Sequence, residues 1–317
     1  MIDEIAVEPE YLNTWDRVRF ILDQCGIEFG RLISDFPSKK WCRLVMEACK
    51  DCGPVEKTRI TERLRQVKSK LIRKGRVFLD QEDWVANARR EHKSQPFHLI
   101  VVKDSGNHGG DFVEGGNLDA TLPQWQVRTN DVIPRRAAAM CSRAAELLRL
   151  SKQVVLVDPH FSVKPVYTRT LSGFLRRALE GGAQVVRLEF HLKAKAPQEH
   201  FLQKLKTDLR KRLPSLPACG IRFIRWKSIP EAPGDSMHAR YILTDVGGLR
   251  FDYGLCESAE EGVTTDVALF SKTSEVYTRR WSDYQASSSA FSFEDGFEVT
   301  RGGIKELRIQ NGEFVTT

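Results

Sequence analysis

The sequence predicts an α/β protein, in which a mostly helical N-terminal domain precedes a mixed β-sheet flanked by helices. From residue 131 onwards, strand-like apolar runs alternate with segments whose apolar residues recur at helical spacing, as in layered α/β domains. Residues 11–92 show mainly helical spacing. We therefore expect a helical, basic domain over 1–95, a strand and a Gly-rich connecting loop over 96–130, and an α/β domain over 131–317.

Composition and charge favour some classes of function for this chain and exclude others. The 317 residues suffice for one large or two ordinary domains, and the net charge of +7 favours a polyanionic partner such as nucleic acid. Because there is no apolar run of 18 residues and no signal-peptide pattern, we expect neither a membrane span nor secretion. Seven scattered cysteines, with no metal-ligand spacing, favour a reduced cytoplasmic protein without metal or cofactor.

The N-terminal domain contains the most basic segment of the chain. From Glu56 to Arg76 there are nine Lys or Arg residues against two Glu. In a helix, Arg59, Arg63, Lys70 and Lys74 share a face. Such a face is either simply solvated or a contact surface for a phosphate backbone. A later basic helix, predicted over 198–213, adds three candidate contacts to nucleic acid, namely Lys204, Arg210 and Lys211.

The α/β domain is predicted element by element from its periodicity. Helices are expected at 134–150, 165–180, 198–213 and 275–284, and strands at 153–158, 184–192, 221–226, 239–245, 249–253 and 264–270. Gly247-Gly248 joins two of these strands as a hairpin, so we expect the sheet to be mixed. Asn311-Gly312 is a type I′ turn pair and predicts a second hairpin near the C-terminus.

The most informative motif is His238-x-Arg240-x4-Asp245, which lies in a strand-like run. Residues i and i+2 of a strand share a face, so His238 and Arg240 are predicted to face the same phosphate. An imidazole can act as the nucleophile, and a guanidinium can hold two phosphate oxygens. Asp245 is the third predicted catalytic residue, placed to orient the other two.

This motif resembles half of the phospholipase D signature, His-x-Lys-x4-Asp, with Arg240 in place of the usual Lys. Active members place Gly-Ser downstream, where this chain has Gly254-Leu255, two residues late and without the hydroxyl. The order of elements over about residues 130–290 is similar to the phospholipase D-like domain at the C-terminus of proteins with a microtubule-interacting-and-transport domain, and to its prokaryotic relatives.

The same comparison predicts four further residues as secondary parts of the phosphate or substrate pocket. Asp158 and His160 come directly after a predicted strand, where ligand sites of α/β folds lie, although Asp158-Pro159 is also a common turn sequence. Thr265 and Asp266 lie on a strand that the resemblance places nearby.

The resemblance implies a metal-independent mechanism that needs two motif copies, one His attacking phosphorus and the other protonating the leaving oxygen. The chain has one complete copy, since His191-Leu192-Lys193 lacks the matching Asp. A homodimer with two facing His238 residues, or a partner subunit, would supply the second.

Two interpretations of function remain open at this stage. The chain is a phosphodiesterase, most simply a nuclease that forms a phosphohistidine at His238 and serves in a prokaryotic defence system. Alternatively, it is an inert module that uses the same pocket to bind nucleic acid, a phosphate-bearing ligand or a partner protein, as in an adaptor of a defence assembly.

Overall fold

In a computed structural model, the chain divides into two units, Met1–Thr129 and Asn130–Thr317. The structure describes residues 2–317 apart from 105, 107–108, 120, 181–183, 196–197, 206–212, 214–215 and 230–236. Within this described part, no helix is both long and apolar enough to cross a membrane.

The N-terminal unit is built on a four-stranded parallel sheet of order β2-β1-β3-β4. Its strands are β1 (Asp3–Val7), β2 (Arg31–Ile33), β3 (Leu99–Val102) and β4 (Phe112–Glu114). Four helices connect them: α1 (Trp15–Asp23), α2 (Trp41–Ala48), α3 (Pro54–Val67) and α4 (Trp84–Ser94). Strands β1 and β3 are almost wholly buried, as expected for parallel strands covered on both faces.

The prediction of a mostly helical N-terminal domain is therefore incomplete. Its helices are present, but the central strand β1 and the three-residue strand β2 were not predicted. Residues 96–130 are not a connecting segment, because β3 and β4 are integral strands of the N-terminal sheet. Strands this short carry too little periodicity to be distinguished from the apolar ends of neighbouring helices.

The C-terminal unit is built on a ten-stranded mixed sheet of order β14-β13-β12-β8-β7-β6-β9-β10-β11-β5. Strands β6 (Gln153–Val157), β7 (Arg187–Lys193) and β8 (Ile221–Ser228) run parallel at its centre. The remaining strands are antiparallel to their neighbours: β5 (Asn130–Pro134), β9 (Arg240–Thr244), β10 (Gly247–Phe251), β11 (Thr264–Ser271), β12 (Phe291–Val299), β13 (Ile304–Gln310) and β14 (Glu313–Thr316). The predicted mixed sheet is confirmed.

Helices cover both faces of this sheet. Helices α5 (Ala137–Leu150) and α6 (Pro165–Glu180) pack against each other on one face, where Phe174 contacts Phe251 with ring centroids 6.4 Å apart. Helix α8 (Glu275–Asp283) packs on β9 and β11. The described part of helix α7 is Gln198–Lys204, so the end of the predicted helix 198–213 lies outside the described residues.

Two local predictions have different outcomes. Asn311 and Gly312 both adopt positive φ, 52° and 76°, between β13 and β14, which confirms the predicted hairpin turn. The helix expected from Pro134 begins instead at Ala137, because Pro134 ends strand β5 opposite Thr264. Proline is tolerated there because β5 is an edge strand of the sheet.

A buried polar group lies in the centre of the C-terminal sheet. His191 is fully buried, its Nε2 is 3.1 Å from Oε2 of Glu189, and its Nδ1 accepts a hydrogen bond of 2.8 Å from Nε1 of Trp226. Because the indole can only donate, the neutral imidazole carries its proton on Nε2 and donates it to Glu189. His191 is thus a structural residue, and His191-Leu192-Lys193 is not a second motif copy.

We expect the stability of the C-terminal unit to fall as the pH drops below about 6.5, the ordinary pKa of unfolded His. Burial lowers the pKa of His191, partly opposed by its hydrogen bond to Glu189, so the unfolded chain binds the proton more readily. The stabilisation is fully present above that pH and declines below it by up to about 1.4 kcal/mol per pH unit.

Urea unfolding at several pH values between 7 and 5 measures this slope. The conservative variant His191→Gln should show a shallower slope than the wild type. Glu189 does not interfere: although burial alone raises its pKa, hydrogen bonds from His191 and Arg187 lower it to about 2. Equal slopes in the two proteins would contradict the prediction.

Candidate active site

The candidate site lies at the edge of the large sheet where β6 ends and β9 begins. These strands are antiparallel, and Val157 at the end of β6 faces Tyr241 near the start of β9. The loop that leaves β6 with Asp158 and His160 therefore lies beside the segment that leads through His238 into β9. Strand β7 runs parallel to β6 and delivers Lys195 to the same edge, two residues beyond its last residue.

Basic side chains gather at this edge. The Lys195 ammonium donates a hydrogen bond to Nδ1 of His160. Burial is the largest cause that lowers the pKa of His160, and the positive charges of Lys195 and Arg240 lower it further. Asp158 opposes this shift of the pKa, and His238 makes a smaller contribution that lowers it. His160 is therefore neutral near pH 7, with its proton on Nε2, while His238 itself is exposed.

Arg240 has an unused hydrogen-bond donor at this edge. Its Nη1 donates to the carbonyl of Asp252 at 3.3 Å, whereas its buried Nε has no acceptor within the described part of the chain. Buried donors are nearly always satisfied in native proteins. An incoming phosphate oxygen could accept a hydrogen bond from this Nε.

Asp158 fixes the two loops that frame the site. The residue is 1% exposed, and its carboxylate accepts backbone N–H bonds from His160 at 2.9 Å and from Leu255 at 2.8 Å. Gly254 has φ +114°, and a Cβ there would lie 3.2 Å from Oδ2 of Asp158, so glycine is required at that position. Asp158 thus positions His160 and the 254–256 loop.

We expect Asp158→Asn to lower the free energy of unfolding by about 1.5–3 kcal/mol, the usual net value of hydrogen bonds to a charged group. The amide keeps one acceptor oxygen but turns an NH2 group towards the second backbone N–H. Chemical denaturation would measure the loss, with Asp266→Asn as the exposed control. Equal stability of the two variants would exclude this positioning role.

Sequence reasoning missed two cations at this edge. One is Lys195, described above. The other is Arg135, whose Nε donates to the carbonyl of Cys256 at 3.1 Å and whose Nη2 lies 2.9 Å from Cys256 Sγ. The signal for Lys195 was its place just after a predicted strand, where Asp158 and His160 were also found.

The structure does not bring Asp245 to the site, which corrects its predicted catalytic placement. Its Oδ1 accepts the backbone N–H groups of Lys152 and Gln153 at 3.0 and 3.1 Å, where β6 begins. Five residues of extended strand separate it from Arg240, roughly 16 Å at strand rise. Asp245 therefore caps the opposite end of the sheet.

Thr265 and Asp266 also differ from their predicted places. Phe251 on β10 pairs with Arg240 on β9 and with Val267 on β11, so these three residues lie on one face of the sheet. Since side chains alternate, Asp266 points from the other face, where it is exposed. Thr265 is on the same face as Arg240, but it is buried and its hydroxyl lies 3.4 Å from the Asp266 carbonyl.

The predicted basic helix face does not form as one surface. Helix α3 ends at Val67, before Lys70, which is exposed in a short 3-10 turn. Arg59 lies over the Trp15 ring at 5.9 Å, Arg63 is paired with Asp23, and Lys74 contacts Glu4 at 2.9 Å.

The second predicted basic segment is described only in part. Lys204 is exposed on α7, whereas Arg210 and Lys211 lie outside the described residues. Across the residues that the structure describes, no group of three or more His, Cys, Asp or Glu side chains is arranged to hold a metal ion.

No family model and no curated protein matches the chain. A polyphosphate kinase from Porphyromonas gingivalis is similar at 14% identity and a TM-score of 0.32 over 58% of this chain and 35% of the kinase. TrmBL2, an archaeal chromatin protein with a novel mode of DNA binding, is similar at 11% identity and a TM-score of 0.27 over 53% of this chain and 55% of that protein. The chain therefore spans about a third of the kinase and about half of the chromatin protein.

Proposed function

We propose that the C-terminal unit is a phospholipase D-like, metal-independent phosphodiesterase that cleaves nucleic acid through a phosphohistidine at His238. The observation that carries this proposal is the grouping of His238, Arg240, His160 and Lys195 at one sheet edge, as their contacts and mutual charge effects indicate. Two imidazoles and two fixed cations are the groups required for covalent phosphoryl chemistry without a metal.

In the first step, the imidazole of His238 attacks phosphorus, an N–P bond forms and the bond to the leaving oxygen breaks. Arg240 and Lys195 stabilise the charge on the non-bridging oxygens. The negative charge of the bound phosphate offsets the two cations that lower the pKa of His160. His160 can then take up a second proton from solvent and, as an imidazolium, donate one proton to the leaving oxygen, which returns it to the neutral form.

In the second step, neutral His160 takes a proton from water and the resulting hydroxide attacks phosphorus. The N–P bond breaks and His238 is released unchanged. Each turnover therefore consumes one water and yields one alcohol and one phosphomonoester, with both histidines restored.

His160 supplies within one chain the second imidazole that a homodimer with facing His238 residues would otherwise provide. The two arrangements predict different results for His160→Ala. A site built within one chain loses activity in this variant, and mixing it with His238→Ala recovers none. In a dimer that pairs two His238 residues, His160→Ala alone should remain active, and that result would overturn the single-chain site.

Cleavage in EDTA tests the proposed activity. End-labelled single- and double-stranded DNA and RNA would be incubated with the purified chain, alongside phosphatidylcholine vesicles as a lipid phosphodiester. We expect cleavage of at least one nucleic acid and none of the lipid. Selective cleavage of the lipid would reassign the substrate, and failure to cleave any of them would remove the enzymatic proposal.

A second candidate function is a binding module without chemistry. It is favoured by the loop at Gly254-Leu255, where the signature has a hydroxyl but this chain uses the Leu255 N–H to hold Asp158. The unsatisfied Nε of Arg240 suits phosphate recognition with or without cleavage.

Arg240→Ala should weaken binding of a short labelled oligonucleotide by about 10- to 100-fold, since charged hydrogen bonds contribute about 1.5–3 kcal/mol. Fluorescence anisotropy would measure it, with Arg250→Ala as control, because Arg250 is exposed on β10 and paired with Asp252 at 3.2 Å. Equal losses in both variants would indicate general charge attraction instead of a site.

A further inference from the structure

The N-terminal sheet has a reversal of strand order at its centre. From β1 the chain passes to β2 on one side and then returns to β3 on the other side, giving the order β2-β1-β3-β4. In parallel sheets, the helices that connect such strands lie on opposite faces, which opens a crevice outside the carboxyl ends of the two strands. Ligands of open α/β sheets bind in that crevice.

A cleft is present at this position. It has a volume of about 650 Å³ and is lined by Glu8 and Glu10 after β1, by Lys103 after β3, and by Lys40 and Trp84. An adjoining cavity of about 550 Å³ shares Glu8, Glu10, Trp84 and Lys103. Small-molecule sites typically measure about 300–1,000 Å³. We call these five residues and the space between them the strand-end cleft.

Glu8 presents an open acceptor to the strand-end cleft. Its Oε2 accepts the backbone N–H of Lys103 at 2.6 Å, which fixes the carboxylate between the ends of β1 and β3. Within the described residues, its Oε1 accepts no hydrogen bond, and the side chain is half-buried. An acidic side chain placed in this way near the end of a parallel strand can accept hydrogen bonds from ribose hydroxyls.

The remaining charges limit the ligand to a single phosphate. The lining contains five carboxylates and four cations, so a polyphosphate would be repelled. Lys40 is paired with Asp80 at 3.0 Å, and Arg43 with Glu47 at 2.6 Å. Lys103 is held more loosely, with its ammonium 3.7 Å from Glu10, and its side chain is 43% exposed.

Trp84 supplies a fixed aromatic wall. Its indole Nε1 donates to the carbonyl of Phe36 at 3.1 Å, and its ring packs edge-on against Phe36 at 5.8 Å. The ring is half-buried and borders both cavities. A planar base can stack on such a surface, which contributes about 1–3 kcal/mol per base in nucleic-acid complexes.

We propose that the strand-end cleft binds a ribonucleoside monophosphate. Glu8 accepts hydrogen bonds from the ribose hydroxyls, Lys103 contacts the phosphate and Trp84 stacks on the base. The inference concerns the N-terminal unit alone and does not depend on the phosphodiesterase activity.

Isothermal titration of the full chain tests it with AMP, GMP, CMP, UMP, 2′-deoxy-AMP, adenosine and inorganic phosphate. We expect saturable binding of at least one ribonucleoside monophosphate. Glu8→Gln should weaken that binding by about tenfold or more and abolish the preference for ribose over 2′-deoxyribose. Lys103→Ala should reduce the affinity for AMP to that for adenosine.

The controls are Glu28→Gln and Lys93→Ala, exposed residues of the same unit outside the cleft lining. Glu8→Gln retains an oxygen to accept the Lys103 N–H, so its thermal unfolding should match that of the controls. The proposal is overturned if none of the four ribonucleotides binds saturably, or if Glu8→Gln binds as tightly as Glu28→Gln.

Discussion

Replacing His238 with alanine should lower the rate of nucleic-acid cleavage by about 10⁴-fold or more, because loss of the nucleophile removes the covalent route. Affinity for the uncleaved strand should change little, since Arg240 and Lys195 remain. Steady-state cleavage in EDTA and anisotropy with a non-hydrolysable phosphorothioate oligonucleotide would measure the two quantities separately.

The matched control is His200→Ala, an exposed histidine on α7 in the same unit, which should retain wild-type cleavage. A labelled, acid-labile and base-stable adduct should form on wild-type protein and be absent from His238→Ala. Undiminished cleavage by His238→Ala would exclude this residue as the nucleophile. An adduct on His160 would exchange the two histidine roles.

The second large effect is expected in the N-terminal unit, where Glu4→Gln should lower the free energy of unfolding by about 3–5 kcal/mol. Glu4 and Arg76 are both 3% exposed at the side chain and are joined by bonds of 2.7 and 3.1 Å, while Lys74 contacts the same carboxylate at 2.9 Å. Removing one partner of a buried pair leaves an uncompensated charge, and this explains the size of the loss.

Chemical denaturation would measure this loss, with Glu62→Gln as control. Glu62 pairs with Arg65 on the surface, with side chains 54% and 72% exposed, so its loss should cost about 0–1 kcal/mol. A loss for Glu4→Gln no larger than that of the control would contradict the prediction.

The pH dependence gives a second readout for Glu4. Burial alone raises its pKa, but the hydrogen bond from Arg76 and the charges of Lys74 and Arg76 outweigh burial and lower it. The stabilisation is therefore present above the unfolded pKa of about 4.3 and is lost as the pH falls below it. Glu4→Gln should lack this acid sensitivity.

Whether a strand could be predicted from the sequence depended on how much of its signal is local. Strands such as β6 and β7 were predicted because helices at clear spacing separate them and turn residues bound them. In contrast, β1 and β2 are buried on both faces and are only five and three residues long. Strand β1 pairs with β3, about 100 residues away in the chain, and, among the described strands, β2 pairs only with β1. Local periodicity does not encode such contacts.

In the candidate site too, local sequence patterns predicted some residues and missed those that depend on contacts between strands. Strand alternation predicted that His238 and Arg240 face one phosphate, although His238 precedes β9, which begins at Arg240. Asp158 and His160 were predicted from their position at the end of a strand. The spacing of Asp245 in the motif suggested proximity, but a straight strand carries it to the far end of the sheet. Lys195 joins the site only because β7 lies beside β6, a neighbour relation that a single sequence does not reveal.

The indole of Trp226 donates its proton to a buried imidazole and not to an oxygen or to water. Such a proton should exchange slowly with solvent and resonate away from the other indole signals in a proton spectrum. Since the bond joins β8 to β7 at the centre of the sheet, this single resonance would persist only while the C-terminal sheet is intact. It offers an internal marker that distinguishes an active-site variant that has lost its chemistry from one that has lost its fold.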